Sequence, residues 1–319
     1  MLMAYGARII NMIVSILLLY LAIKLMPFGK KGMLLSMCFP IAIEGFTSMS
    51  PDALTISVAY LYTAYVLNIV FNNEKQVKKT DIFIITILSI VIALCKIVYL
   101  PLVGLLLLIP KGKFKTKKSH ILTKVIIMAI AIIANLVWLK ISASYLDLYK
   151  DGNSGEQLSI LFQNPIYYLQ RFLTTINNAG GFYVYSLLGG ELGWNEYAKM
   201  DTLLPTILGI AFIYVNTTDN TLKQKLTRYQ NIIITLILIA IIGLVFTSLY
   251  IQWNEPTDTT IKGVQGRYFI PIIPILTLLI FSKIKLKSEL SDEQLNKTTG
   301  IAICLMFMYV FTNLLILNI

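Results

Sequence analysis

The sequence predicts an all-α polytopic transmembrane bundle of about ten spans, and three features carry that reading. Hydrophobic residues make up 57% of the 319-residue chain and charged residues 13%, with a mean hydropathy of +0.75. That balance leaves too few polar side chains to cover a soluble surface. Apolar runs of roughly 13 to 21 residues recur along the chain, lengths suited to a bilayer core about 30 Å thick. Lysines gather in short bursts between these runs, which is how cytoplasmic loops are marked. The formal net charge of +11 is therefore a topological signal, and no nucleic-acid partner is expected.

The spans fall at 7 to 26, 33 to 49, 52 to 71, 82 to 95, 97 to 109, 122 to 140, 203 to 215, 231 to 251, 269 to 282 and 298 to 317. The first follows Arg8 and lacks a small-residue cleavage site, so it reads as a retained helix rather than a signal peptide. The second and third meet at Ser50, Pro51 and Asp52. There Ser50 can cap the helix, Pro51 can take its first position and Asp52 can complement its dipole. The run from Asp81 to Pro110 would measure about 45 Å as one helix, and lysine clusters flank both of its ends. Two cytoplasmic flanks require an even number of crossings, so the run is a hairpin with Lys96 at its outer bend and Pro101 in the second leg.

Loop 141–202 follows the sixth span as an extracytoplasmic segment. In it Asn164 can cap a helix that places Pro165 first and repeats Ile166, Leu169, Phe172, Leu173 and Ile176 at helical spacing, ending near Gly180 and Gly181. Such a helix suits the outer leaflet, or equally a face packed on the other spans. In the ninth span Pro271 fits the first turn, and Pro274 would free a backbone carbonyl. The lysine-rich loops hold 17 of the 27 Lys and Arg, whereas the opposite loops hold only Lys96, Lys150, Arg171, Lys199, Lys262 and Arg267. By the positive-inside rule the chain is a multi-pass protein of the cell membrane, a single integral domain over 1–319, with both termini extracytoplasmic. Cys38, Cys95 and Cys304 sit in or beside apolar runs and read as small hydrophobes, and His120 reads as an exposed cytoplasmic residue.

Chemistry is then expected on the outer face. Arg267, in the stretch KGVQGRYFIP, sits where the chain enters the membrane, and its fork of donors suits a phosphate or carboxylate. Gly263 and Gly266 beside it permit a tight turn and close backbone approach. Arg267 and Tyr268 could equally anchor the helix end. Asp52 can orient a hydroxyl or act as a base, although helix capping alone explains its place. Glu44, inside an apolar run, is expected to face a cavity or a partner such as Lys96, or else to lie near the outer interface. Lys96 reads as an anion-binding residue or a snorkelling one. No metal-ligand spacing or nucleotide-binding loop occurs, so no cofactor is expected. Regularly spaced intramembrane acids are missing too, which disfavours an ion-coupled carrier.

Three segments together resemble a bacterial membrane-protein family, domain-of-unknown-function family 2142: S-x-S-P-D-A-L (Ser48 to Leu54), L-G-W followed by L-P (Leu192 to Trp194, Leu204, Pro205), and G-V-Q-G-R-Y-F-I-P (Gly263 to Pro271). That family is similar in turn to the GT-C glycosyltransferases, which take a sugar from a polyprenyl-phosphate carrier outside the cytoplasmic membrane. The resemblance implies inverting transfer in cell-envelope glycan assembly. Its partners would be a polyprenyl-phosphate-linked sugar and the lipid bilayer. Asp52 is the candidate catalytic carboxylate. Arg267 and then Lys96 would hold the phosphate, with Glu44, Gln265, Tyr268, Lys262 and Trp194 as further substrate-binding candidates. Relatives usually begin with one more helix and an outer loop carrying an acidic P-P-D-E motif, and that motif does not occur here. The expectation is an N-terminal fragment encoded upstream, or a chain that keeps binding or scaffolding without catalysis.

Overall fold

The structure, a computed structural model, describes residues 2–146, 154–193, 198–199, 201–222, 226–284 and 291–317. Its α-helices are α1 (Leu2–Leu25), α2 (Lys30–Met37), α3 (Pro40–Thr47), α4 (Asp52–Phe71), α5 (Lys79–Cys95), α6 (Lys117–Leu146), α7 (Ser154–Gln163), α8 (Pro165–Leu187), α9 (Leu203–Thr218), α10 (Arg228–Trp253), α11 (Ile273–Phe281) and α12 (Asp292–Leu317). Long 3-10 segments cover Ile97–Leu108 and Gly266–Ile272. A two-residue antiparallel pair joins β1 (Glu191–Leu192) to β2 (Ala198–Lys199).

By length and composition α1, α4, α6, α10 and α12 can each cross a membrane. They divide by burial. The apolar window of α4 is 83% buried and forms the centre of the bundle, whereas that of α1 and of α12 is 17% buried. Residues such as Ile10, Leu17, Leu136 and Phe311 are turned outward, as they are where lipid rather than protein is the neighbour. Shorter apolar segments pack between these long helices, so the all-α membrane bundle read from the sequence is the fold observed.

Hydrogen bonds sort the loops onto two faces. On one, Gly29 N donates to Thr221 Oγ1 at 2.9 Å, Lys31 pairs with Asp292 at 2.8 Å, Val77 N donates to Lys113 O at 2.9 Å, and Asn68 at the end of α4 reaches Leu25 O at 2.8 Å. The lysine-rich loops therefore share a face. On the other, Asn11 donates to Ser48 O at 2.9 Å and Gln157 to Asn254 O at 2.8 Å.

The hairpin over 81–110 forms as expected, with Lys96 between its legs. Its second leg, however, is 3-10 and not α. Twelve residues rising about 2.0 Å each extend roughly 24 Å, against about 18 Å as an α-helix. The tighter winding lets a short apolar run reach the lysine-rich face. There Lys124 Nζ, from α6, donates to Leu107 O at 3.2 Å and Ile109 O at 2.7 Å and so satisfies the carbonyls at the end of that leg. His120 is half-buried rather than exposed: its Nε2 lies 3.2 Å from Ile109 O and its ring stands edge-on to Phe114 at 5.1 Å.

Other boundaries differ for local reasons. The expected span 33–49 is broken at Cys38 and Phe39, because Phe39 precedes Pro40 and adopts φ −55°, ψ 138°. Pro271 lies within the 3-10 segment, and Pro274 is the second residue of α11, in the first turn where a missing N–H costs nothing. The carbonyl expected to be freed, Ile270 O, accepts instead from Ile273 N. Asn164 does cap α8, its Oδ1 accepting from Tyr167 N at 3.1 Å. Yet α8 runs through Gly180 and Gly181 to Leu187, since helical glycine costs only about 1 kcal/mol and packing against residues 266–272 holds the last turns; the chain turns at Gly189, φ 87°. On α8, Ile166, Leu169, Leu173 and Ile176 are exposed while Arg171 and Thr175 are buried. Phe172 departs from the stripe and packs on Phe246 at 4.9 Å.

Candidate functional site

Three chain segments converge at one point on the face opposite the lysines. The first turn of α4 supplies Asp52, positioned by Ser50 Oγ, which accepts from the Asp52 N–H at 3.1 Å. The hairpin bend supplies Lys96, and the 3-10 segment after Gln265 supplies Arg267. Lys96 Nζ pairs with Asp52 Oδ1, and Arg267 Nε lies 3.6 Å from Asp52 Oδ2. The Asp52 side chain is 9% exposed, against 28% for Lys96 and 26% for Arg267. The cations are thus the accessible members and the carboxylate lies beneath them.

Tyr268 organises the cluster. Its ring centroid is 5.0 Å from Lys96 Nζ and 5.6 Å from Arg267 Cζ, within cation–π range of both. Its backbone carbonyl accepts from Tyr99 Oη at 2.9 Å, which ties the segment to the second leg of the hairpin. Two cations face one anion, so the cluster keeps a positive charge. The buried Arg267 Nε has no hydrogen-bond acceptor among the described residues, so Asp52 does not occupy the guanidinium fork.

The loop before Arg267 is held from α7 and α8. Buried Arg171 hydrogen-bonds Pro256 O, Tyr167 Oη and Tyr250 Oη, while Ile261 N donates to Thr175 Oγ1 at 2.7 Å. Asn254 Oδ1 accepts from Lys262 N at 2.8 Å. Gly263 takes φ 83°. Gly266 lies so close to α8 that a Cβ would sit 2.1 Å from Leu187 N. Both glycines do what the sequence suggested, one by conformation and one by contact.

Beside Lys96, Tyr99 and Tyr268 a cleft of about 480 Å³ opens between α6 and α10. Its walls include Trp138, Leu139, Val245, Leu249 and Trp253, with Asn135, Ser142, Ser248 and Gln252 as polar points. The sequence reading missed these residues. Asn135 within AIIANLVWL was the available signal, since an amide in an apolar span needs a partner; it donates to Ala93 O at 2.6 Å.

The remaining candidates fall outside the cluster. Glu44 does not pair with Lys96, whose ammonium is taken by Asp52; Glu44 Oε2 is buried without a hydrogen bond. Lys262 is exposed and pairs with Asp258 at 2.5 Å. Gln265 N-caps the 3-10 segment, its carbonyl accepting from Tyr268 N at 3.1 Å. Trp194 lies outside the described residues. Among the described residues no three His, Cys, Asp or Glu side chains gather as a metal site.

Bundle, hairpin and ion cluster together define a multi-pass α-helical membrane protein with a positively charged site beside a largely apolar cleft. The chain belongs to the family described as Predicted membrane protein (DUF2142), whose model matches residues 1–276. No curated protein and no solved structure matches it.

Proposed function

We propose that this protein is a GT-C-like glycosyltransferase, or part of one, that transfers a sugar from a polyprenyl-phosphate carrier in cell-envelope glycan assembly. The observation that carries the reading is the pairing of Lys96 and Arg267 around Asp52, with Lys96 also lining a largely apolar cleft. A prenyl chain suits the walls between α6 and α10, and its phosphate suits the two cations. In the reaction the acceptor hydroxyl oxygen forms a bond to the anomeric carbon, and the bond from that carbon to the carrier phosphate breaks. The electron pair leaves on the phosphate oxygen, where Lys96 and Arg267 stabilise the charge. The acceptor proton passes to a carboxylate, for which Asp52 is the candidate.

A second reading, a membrane protein that binds or moves a lipid-linked glycan intermediate without transferring it, is favoured by one detail. Both Asp52 oxygens face cations, so the carboxylate as placed is a counter-ion rather than a presented base. Purified full-length chain in proteoliposomes separates the readings. Arg267→Ala and Lys96→Ala should each weaken prenyl-phosphate binding about tenfold on either reading. Sugar transfer that disappears in Asp52→Asn supports the enzyme. Binding by the wild type with no transfer from any polyprenyl-phosphate sugar supports the binder, and unchanged binding by folded Arg267→Ala and Lys96→Ala variants refutes both.

A further inference from the structure

The two cations are held unequally, and the inequality has a chemical meaning. Lys96 is in close contact with Asp52 Oδ1, whereas Arg267 reaches Oδ2 only through Nε, at 3.6 Å and without hydrogen-bond contact. Arginine grips a carboxylate best with two parallel N–H bonds. Here that fork is not used. Lys96 and Arg267 are about a quarter exposed while Asp52 is nearly covered, so an arriving anion meets the cations before it meets the carboxylate. Tyr268 stands against both cations, and Tyr99 fixes the Tyr268 backbone, so their placement does not depend on Asp52 alone.

We propose that Asp52 is an exchangeable counter-ion, which competes with the phosphate group of a ligand for Lys96 and Arg267 and is released when that phosphate binds. A phosphate monoester carries more negative charge than one carboxylate, and the singly charged diester of a sugar carrier still presents more oxygens, so either can engage the guanidinium fork and the ammonium together. Once released, Asp52 remains at the N-terminus of α4, where backbone N–H groups supply partial positive charge. The carboxylate then becomes free to accept a proton only when the phosphate is in place. The proposal rests on reading the cluster as a phosphate site, and it adds the order of events there. Asp52 acts through the two cations, which makes it a positioning residue before it acts as a base.

The sign of one affinity change tests this. A carboxylate that merely positions Lys96 and Arg267 would leave anion binding weaker when it is neutralised, whereas a competitor would leave it tighter. The full-length chain in detergent is titrated with a ten-carbon prenyl monophosphate, with inorganic phosphate and with the matching prenyl alcohol. Asp52→Asn is expected to bind the prenyl phosphate about tenfold tighter than wild type, and Lys96→Ala about tenfold weaker. Asp52→Ser repeats the measurement should the Asn variant not fold, with thermal unfolding reporting on both. Equal or weaker binding by a folded Asp52 variant, while the wild type still binds, overturns the exchange and leaves the phosphate site standing. Absence of saturable phosphate binding in every variant, or alcohol binding as tight as phosphate, overturns the site reading and the exchange with it. Inorganic phosphate as tight as the prenyl ester, tightening likewise in Asp52→Asn, supports the exchange and removes the lipid from the proposed function.

Discussion

The Lys96 ammonium meets the Asp52 carboxylate across 44 residues of chain, where the bend after α5 touches the first turn of α4. The contact closes the end of the bundle opposite the lysine-rich face as well as building the site. Lys96→Met keeps much of the side-chain volume but leaves a nearly covered carboxylate with the looser Arg267 as its remaining ion-pair partner. The expected cost is about 1–3 kcal/mol, read as a lower unfolding temperature in detergent. Lys96→Arg should retain most of the stability, and a Met variant as stable as wild type would show that the pair has no structural part.

Gly266 and Gly263 give separable outcomes, because one is limited by space and the other by conformation. A Cβ at 266 would lie 2.1 Å from Leu187 N and 2.6 Å from Tyr183 O, both backbone atoms of a helix that cannot shift singly. Gly266→Ala should cost about 1–3 kcal/mol and loosen the turn that presents Arg267. At Gly263 the nearest atoms are 3.7 Å away but φ is 83°, so Gly263→Ala should cost about 1–2 kcal/mol by strain alone. Gly181, helical and with nothing within 4 Å, serves as the control: Gly181→Ala should be neutral or stabilising by up to about 1 kcal/mol. Equal behaviour of the three variants would contradict these assignments.

What was legible in the sequence was whatever depends on local rules. Lysine bursts fixed the hairpin at Lys96, Asn164 before Pro165 fixed a helix start, and glycines beside Arg267 marked a constrained turn. Asp52, Lys96, Arg267 and Tyr268 could each be singled out by residue type, yet their meeting depends on packing among α4, the hairpin and the 3-10 segment, which no local pattern records. Arg171 was counted as a loop charge because a positional rule does not distinguish an exposed arginine from one stacked at 4.1 Å on Tyr167 and hydrogen-bonded to Tyr250. The cleft was hidden for the same reason: its walls are ordinary lipid-span residues until α6 and α10 leave a gap. Of the partners open to Glu44, Lys96 is taken by Asp52, a choice that packing makes and residue type does not.

The loop carrying Lys262 should loosen in acid but not at neutral pH. Burial pushes the Asp258 carboxyl upward, but the Lys262 ammonium and the Glu255 N–H hold it below the ordinary carboxylate range. Lys262 is correspondingly raised, chiefly by its hydrogen bond to Asp258. A depressed carboxyl contributes stability that is present above its unfolded pKa of about 3.9 and lost as pH falls through the folded value; a raised lysine contributes below about 10.4 and loses it as pH rises through the folded value. Hydrogen-exchange protection of the Ile261 and Lys262 amides, corrected for intrinsic rates, should therefore be flat from about pH 5 to pH 10 and fall below about pH 4. Asp258→Asn should remove the acid edge. A loss of protection between pH 6 and 8 would mean that another group governs the loop.

Orientation decides which side of the membrane the ion cluster serves, and the two faces of the bundle make it testable with one reagent. Residue 262 belongs to the face that carries Asp52, Lys96 and Arg267, whereas residue 115 lies on the opposite face among exposed Lys111, Lys117 and Lys118. Positive charge is retained on the cytoplasmic side, so the face bearing 115 should be inside and the face bearing 262 outside. With Cys38, Cys95 and Cys304 replaced by serine, Lys262→Cys should react with a membrane-impermeant maleimide in intact cells, and Lys115→Cys only after permeabilisation. Lys262 is exposed and, among the described residues, its side chain forms an ion pair with its neighbour Asp258, so its replacement should leave the bundle intact. The reverse pattern would place Arg267 toward the cytoplasm. Phosphate chemistry at the cluster would survive that result, because the geometry does not change, but a sugar donor presented outside the cell would not reach it.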